Sequence, residues 1–180
     1  MQETRSLHGA FLPKRFFIAA GSATSSVSPL NAFDAALTKA GIAQCNLVNV
    51  SSILPPDAEE VKNSPITAGT VTFAVMARMD GDPGETIGAG IGWTKGITGK
   101  KERYGLVAEA HGYKDKEAIE KELKSKLDEM AKIRDLKTDK IETRAEFIEV
   151  PKGKYGTVIV ALVFAPWTEE DSKRPLPNNT

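Results

Sequence analysis

The sequence predicts an α/β protein of the α+β type, in which two stacked sheets are each covered on the outer side by one helix. Two helical patterns and about seven apolar, strand-like runs are distributed along its 180 residues. Two helices are too few to cover both faces of one wide parallel sheet, whereas two stacked sheets would bury every apolar run. The length suits a single domain, residues 1–180.

The first predicted elements are a buried strand at 16–20 and a helix at 29–40. The strand is a short apolar run, and a Ser/Thr-rich loop is expected at 22–28. Ser28 is a good N-cap because proline follows at the first helical position, and Gly41 ends the helical spacing.

Asp34 lies on a polar stripe of this predicted helix, next to an apolar stripe. The apolar stripe consists of Leu30, Phe33 and Leu37. We therefore expect the Asp34 carboxylate to be partly buried or to face a cleft.

The rest of the chain predicts one more helix and several strands. After an apolar run that ends near Val50, strands are expected at 70–79, 86–93, 104–110, 140–150 and 157–165, with an amphipathic helix at 115–134. Glycine alternates with other residues at Gly88, Gly90 and Gly92, which predicts close approach of another element to that strand face. The polar tail 168–180 is expected to be flexible.

The bulk composition narrows the function classes. Lys plus Arg and Asp plus Glu number 24 each, so no broad basic field is available for nucleic acid or an anionic membrane. Cys45 is the only cysteine, which excludes an intramolecular disulfide, and no Cys/His spacing indicates a metal site. We find no membrane-length apolar run and no signal-peptide core, and therefore expect a cytoplasmic protein.

Two adjacent serines, Ser51 and Ser52, stand between an apolar run and the double proline Pro55-Pro56. An ordinary turn is the simplest interpretation of such a pair. However, the prolines stiffen the chain, and Asn46 is close in sequence as an amide donor. A stiff loop with a hydroxyl, a preceding carbonyl and an amide donor favours self-cleavage between the serines.

Such a cleavage would create a cofactor from the chain itself. Attack of the Ser52 Oγ on the Ser51 carbonyl converts the peptide into an ester, with Asn46 as a donor to the developing oxyanion. Elimination would release chain 1–51 and leave dehydroalanine, which hydrolyses to a pyruvoyl group at the start of chain 52–180. A ketone there condenses with an amine and accepts the electron pair left when carbon dioxide departs.

Residues 8–165 resemble the pyruvoyl-dependent arginine decarboxylases. The resemblance is carried by blocks that occur in the family's order and spacing: Pro29-Leu30-Asn31-Ala32-Phe33-Asp34, Asn46-Leu47, Val50-Ser51-Ser52-Ile53-Leu54-Pro55-Pro56, Pro83-Gly84-Glu85-Thr86-Ile87, and Gly105-Leu106 with Glu109 and Gly112. It implies a four-layer αββα sandwich of two mixed sheets, and a homotrimer or hexamer with active sites between subunits.

The resemblance also implies an activity, decarboxylation of L-arginine to agmatine, without metal or pyridoxal phosphate. By position, Ser52 corresponds to the pyruvoyl precursor and Ser51 to the new carboxyl terminus. Asn46 corresponds to the asparagine that assists cleavage, Glu109 to the proton donor for the substrate α-carbon, and Asp34 to an acid near the guanidinium. A carboxyl group in an apolar strand has a raised pKa, which suits Glu109 as a proton donor. An aspartate beside an apolar helix stripe suits a guanidinium.

Other interpretations remain open on the residues alone. An amino-terminal nucleophile hydrolase also cleaves itself but keeps the hydroxyl and a free amine at Ser52. A decarboxylase of another basic amino acid and an uncleaved, non-enzymatic oligomer are further alternatives. His8 and His111 are interpreted as structural or solvent-facing, although His111 shares a strand face with Glu109 and is a candidate to tune it. Trp93 and Trp167 are interpreted as packing residues.

Overall fold

A computed structural model describes residues 12–62 and 65–166. Within them the chain forms, in order, β1 (Arg15–Ser25), α1 (Pro29–Ala40), β2 (Asn46–Asn49), β3 (Ile53–Leu54), β4 (Glu59–Glu60), β5 (Val71–Gly81), β6 (Thr86–Thr98), β7 (Arg103–Gly112), α2 (Lys116–Ile133), β8 (Leu136–Thr138), β9 (Glu142–Glu149) and β10 (Tyr155–Phe164). His8, Trp167 and the tail 168–180 lie outside the described residues.

The first sheet has five strands in the order β2-β5-β10-β1-β4 and is mixed. Strand β10 pairs antiparallel with both β5 and β1, which fill the centre of the sheet. The short strands β2 and β4 add to the two edges in parallel orientation. The serine pair follows β2, so it starts from an edge of this sheet.

The second sheet contains β3-β7-β6-β8, with β9 also paired to β6. Every pairing described in it is antiparallel, so the prediction of two mixed sheets is correct for the first sheet only. The connections explain the difference, because β6 and β7 are joined through residues 99–102 alone. A connection that short allows a hairpin and excludes a parallel crossover.

An apolar core lies between the two sheets. Strands β5 and β10 supply it from the first sheet, and β6 and β7 from the second. Its fully buried members include Val75, Ile87, Ile91, Val107, Val160 and Leu162. Trp93 packs against this core with its ring edge-on to Phe16 at 6.5 Å between centroids, as expected for a packing residue.

Helix α1 begins and ends where the sequence predicts. The Ser28 side chain accepts a hydrogen bond from the Asn31 N–H at 3.2 Å, and Gly41 ends the helix at φ 74°. The helix packs on β1 and β10 through a stripe of small buried residues, namely Ala32, Ala36 and Ala40. Gly21 of β1 makes this approach possible, since a methyl group there would lie 2.3 Å from the Ala36 carbonyl oxygen.

The expected burial of Asp34 is wrong. Asp34 is exposed, and Leu30 on the same helix is 72% exposed. The reason is that α1 turns its alanines toward the sheet, so the predicted apolar stripe is only partly covered. Asp34 therefore lies on an open face of the helix.

Helix α2 packs on the second sheet. Asp115 is its N-cap, with a carboxylate oxygen 2.9 Å from the Ala118 N–H. Its buried residues Ile119, Leu123 and Leu127 lie over the glycine-rich face of β6. A methyl group on Gly90 would be 2.5 Å from Ile119 Cγ2, so the predicted close approach to the alternating glycines is confirmed.

Two strand predictions need correction. Residues expected to form a Ser/Thr-rich loop belong largely to β1, which continues to Ser25 opposite Tyr155. Pairing with β10 satisfies the backbone there, and the small Ala23 fits beneath α1. The short strands β3, β4 and β8 bring the described strands to ten, because pairings of two or three residues leave no periodic pattern in a sequence.

Candidate active site

The serine pair connects the two sheets. The ladder of β2 in the first sheet continues to Val50, whose N–H donates to the Ala74 carbonyl at 3.0 Å. Strand β3 of the second sheet begins immediately after the pair. Ser51 is exposed and Ser52 is half-buried at this crossing. The peptide bond between them therefore lies in an accessible segment whose two ends are both fixed.

The backbone around the pair forms a tight turn. The Ile53 N–H donates to the Ser51 carbonyl at 3.0 Å, which closes a three-residue turn centred on Ser52. On the other side, the Val107 N–H of β7 donates to the Ser52 carbonyl at 2.9 Å. The Ser51 carbonyl is the group that self-cleavage would attack, and the Ile53 N–H polarises it. The side-chain pattern gave no signal for this donor, because it belongs to the main chain.

A buried leucine fixes the chain just after the turn. Leu54 is fully buried in the core between the sheets and pairs with Gly105 of β7. A methyl group on Gly105 would lie 2.9 Å from Leu54 Cβ, so the glycine leaves the space that β3 occupies. The Gly105-Leu106 block noted in the sequence therefore positions the serine pair.

Glu109 lies on the strand that borders the serine pair. The register between Ile53 and Leu106 places Ser52 opposite Val107. Glu109 is two residues farther along β7, which corresponds to about 6.7 Å in an extended strand. Side-chain alternation puts Glu109 on the same face as Val107, which faces the core between the sheets.

The environment of Glu109 shifts its ionisation. Partial burial raises the pKa of the Glu109 carboxyl, whereas the nearby charges of His111 and Lys126 act in the opposite direction. The direction predicted from the apolar strand is therefore confirmed. His111 is exposed, as expected, and its charge also acts on Glu109.

A charged cluster on α2 and the loop before it reaches the same place. The Lys126 ammonium donates to the Glu109 backbone carbonyl at 2.8 Å. The Glu122 carboxylate pairs with Lys126 at 2.6 Å and with Lys114 at 2.5 Å. Hydrogen bonds from Lys114 and Lys126 lower the pKa of Glu122, which keeps it ionised. The sequence pattern predicts only an amphipathic helix here and does not indicate this cluster.

Asn46 is not beside the serine pair within one chain. It is the first residue of β2, and its Nδ2 donates to the Gly69 carbonyl at 2.8 Å. The extended chain from Asn46 to Ser51 spans about 16 Å. The side chain is therefore at the opposite end of β2 from the peptide bond it was predicted to assist.

Asp34 is also separate from the other predicted residues. Helix α1 packs on β1 and β10 of the first sheet, whereas Glu109 lies on β7 of the second sheet. One chain therefore brings together Ser51, Ser52 and Glu109, and leaves Asp34 and Asn46 elsewhere.

Similarity to known proteins decides the family. The family described as "Pyruvoyl-dependent arginine decarboxylase" matches residues 15–169 of this chain. The chain belongs to this family. A pyruvoyl-dependent arginine decarboxylase of Methanocaldococcus jannaschii is 39% identical over 149 residues, which cover 79% of this chain and 86% of the relative.

Further relatives of the same name are matched over almost their whole length. The decarboxylase of Methanopyrus kandleri is 32% identical over 154 residues, which cover 85% of this chain and 97% of the relative. That of Thermococcus sibiricus is 36% identical over 160 residues, which cover 86% and 97%. The resemblance and the lyase class inferred from the serine, proline and glycine blocks are therefore confirmed.

Membership of the pyruvoyl-dependent arginine decarboxylase family implies a pyruvoyl cofactor. Within residues 12–62 and 65–166, no group of three or more His, Cys, Asp and Glu side chains is arranged to hold a metal ion. In the same part of the chain, no helix is both long and apolar enough to cross a membrane.

Proposed function

We propose that the protein cleaves itself between Ser51 and Ser52 and then decarboxylates L-arginine to agmatine and carbon dioxide. The observation that carries this proposal is the turn around Ser52 beside Glu109. It combines a hydroxyl, an adjacent carbonyl with a hydrogen-bond donor, and a carboxyl of raised pKa on the neighbouring strand.

The turn around Ser52 supports the following steps of self-cleavage. The Ser52 Oγ attacks the Ser51 carbonyl carbon and the C–N bond breaks, so that the amide becomes an ester and the nitrogen becomes a free amine. The Ile53 N–H already donates to the oxygen that gains negative charge. Loss of a Cα proton from residue 52 then expels the Ser51 carboxylate and leaves dehydroalanine. Water converts this to a pyruvoyl group and releases ammonia.

The surrounding backbone fits such a group. The Val107 N–H binds the carbonyl of residue 52, and this carbonyl remains after the cut because its bond to Ile53 is not broken. Leu54 keeps β3 in the core after the bond between residues 51 and 52 is cut. The new chain start is therefore held against β7. When formed, the pyruvoyl ketone supplies an electrophile for the substrate amine and a sink for the electron pair freed by decarboxylation.

Glu109 is proposed as the proton donor to the substrate α-carbon. Burial favours its neutral form, so a proton is available at a higher pH than in an exposed glutamate. Its position two residues along β7 from the Val107 contact with Ser52 supports this assignment.

Asp34 is proposed to bind the guanidinium of arginine in a site shared between two subunits. Leu30 and Asp34 are four residues apart and lie on one face of α1, and Leu30 is 72% exposed. A second exposed apolar group lies near the serine pair and consists of Val48 and Ile53. Contact between these two different surfaces is heterologous, which suits a closed ring such as a homotrimer, alone or doubled to a hexamer. Such a contact would carry Asp34 toward Ser52.

The same arrangement gives Asn46 a role. We infer that Asn46, which is exposed on edge strand β2, assists cleavage across a subunit contact, because its own strand separates it from Ser51.

We also infer the order of layers in the fold. The three apolar clusters lie between α1 and the first sheet, between the two sheets, and between the second sheet and α2. This order supports the four-layer αββα sandwich.

Intact-mass spectrometry of the purified protein under denaturing conditions tests the proposed function. We expect chains 1–51 and 52–180, the second lighter by one ammonia than a chain that begins with serine. Ser52→Ala should remain whole and inactive, whereas Ser125→Ala on the exposed face of α2 should cleave as the wild type does. A single full-length mass for the wild type contradicts the proposal. A second chain that begins with free serine would instead indicate an amino-terminal nucleophile hydrolase.

A further inference from the structure

Among the described residues, no strand pairs with the edge of β7 at Glu109. The Val107 N–H points toward β3, where it binds Ser52. In an antiparallel strand, the N–H and the carbonyl of one residue point to the same side, and those of the residue two positions away do so as well. The Glu109 carbonyl therefore also faces this edge. The described pairing with β3 does not extend to Glu109. A carbonyl at this place needs a donor from elsewhere.

Lys126 of α2 supplies that donor. Its Nζ lies 2.8 Å from the Glu109 carbonyl oxygen. Glu122, one helical turn earlier, holds the same ammonium at 2.6 Å and also pairs with Lys114 at 2.5 Å. Because Lys114 lies just after the end of β7, this network joins the helix, the strand end and the loop between them.

We propose that Lys126 is a positioning residue for Glu109. Its ammonium takes the place of a partner strand at the open edge of β7 and fixes the residue that carries the proton-donating carboxyl beside Ser52. The inference rests on the proposed decarboxylase function, and it adds to that function a residue on a different element. Glu122 orients Lys126 through its ion pair with the ammonium.

The charges around Glu109 make this role measurable. His111 on its own strand and Lys126 on α2 both act on the carboxyl. Across β6, the Glu109 partner Ile91 is apolar, and Arg144 of β9 beyond it is paired with Glu146. From the first sheet, the inward residues of β5 are apolar. The Lys126 charge offsets part of the effect that burial has on the Glu109 pKa. Loss of this charge should therefore raise the pKa of Glu109 further.

The test compares Lys126→Met with Lys126→Arg and Lys124→Met in the full-length, self-cleaved protein. Lys124 is exposed on the same helix and makes no ion pair within the described part of the chain. We expect Lys126→Met to lower kcat roughly tenfold with KM within about twofold, since a misplaced acid affects the chemical step more than binding. The alkaline limb of its kcat profile should move to higher pH. Lys126→Arg should restore most of kcat, and Lys124→Met should match the wild type.

A second readout does not depend on activity. Carbon-13 NMR of proteins with labelled glutamate carboxyls, with Glu109→Gln to assign the signal, follows the Glu109 titration directly. It should shift to higher pH in Lys126→Met and not in Lys124→Met. A wild-type protein without arginine decarboxylase activity would refute the proposed function, and the titration would still show whether Lys126 acts on the Glu109 carboxyl. An unshifted titration in Lys126→Met, or an equal shift in Lys124→Met, would overturn the inference.

Discussion

At the scale of single residues, Glu109 is a carboxyl group that the fold keeps partly out of water. Burial raises its pKa although His111 and Lys126 lie nearby. The folded protein therefore binds this proton more tightly than the unfolded chain does. This preference suits the proposed proton donor, and it also makes ionised Glu109 unfavourable for folding.

Replacement by glutamine should reveal this conflict as a pH-dependent gain in stability. At a pH below the ordinary range of a glutamate, Glu109→Gln and wild type are both neutral at this site and should unfold at similar temperatures. As the pH rises through the pKa of Glu109 in the folded protein, the wild type ionises and loses stability, whereas the variant does not. The difference in Tm should thus grow with pH and then level off.

Thermal unfolding followed by circular dichroism at several pH values measures this effect. Glu60→Gln, at an exposed position on β4, is the matched control for removal of one glutamate charge. A constant difference for Glu109→Gln across the same pH range would contradict the stated environment of Glu109.

At the scale of elements, the glycine strand β6 determines how closely α2 can approach. Gly90→Ala should destabilise the fold by about 1–3 kcal/mol, which is the usual effect of overpacking. The added methyl group would lie 2.5 Å from Ile119 Cγ2 and 3.0 Å from the Arg144 carbonyl oxygen, so both helix and strand would have to move. Denaturant unfolding measures the change.

Gly99→Ala, in the turn between β6 and β7, provides a control. Its methyl group would meet only the Asp135 carboxylate, the end of a side chain that can turn away. We expect little loss of stability there. Equal losses for Gly90→Ala and Gly99→Ala would show that close contact with α2 is not what requires glycine in β6.

The elements also show what the sequence can predict. Helix α1 was predicted with its correct ends, because Ser28 and Gly41 mark them with local chemistry. Strand β3 was not, because its two residues are defined by pairing with β7. The serine pair and Glu109 were found by side-chain type and family resemblance. Donors such as the Ile53 N–H and Lys126 depend on the backbone path and tertiary contact, which a residue pattern does not contain.

At the scale of the whole molecule, one chain supplies an incomplete set of the proposed site residues. Ser52 directly precedes β3, which pairs with the strand of Glu109, whereas Asp34 is on the open face of α1, on the other sheet. Exposed apolar side chains near both places, Leu30 in one group and Ile53 in the other, favour contact between copies of the chain. In a ring in which α1 of each subunit contacts the serine pair of the next subunit, the site would be shared between two subunits.

Co-expression of two inactive variants tests this arrangement. Ser52→Ala lacks the cofactor precursor and Asp34→Asn lacks the guanidinium ligand, so each alone should show little arginine decarboxylation. In mixed rings, a site with Ser52 from one subunit and Asp34 from its neighbour is intact. In a homotrimer that contains both variants, about one site in three should be intact, because only one of the three subunit contacts joins an intact Ser52 to an intact Asp34. Differently tagged subunits, purified through both tags, ensure that mixed rings are assayed. Activity no higher than that of the separate variants would place Ser52 and Asp34 of each site in one subunit, or exclude Asp34 from the site.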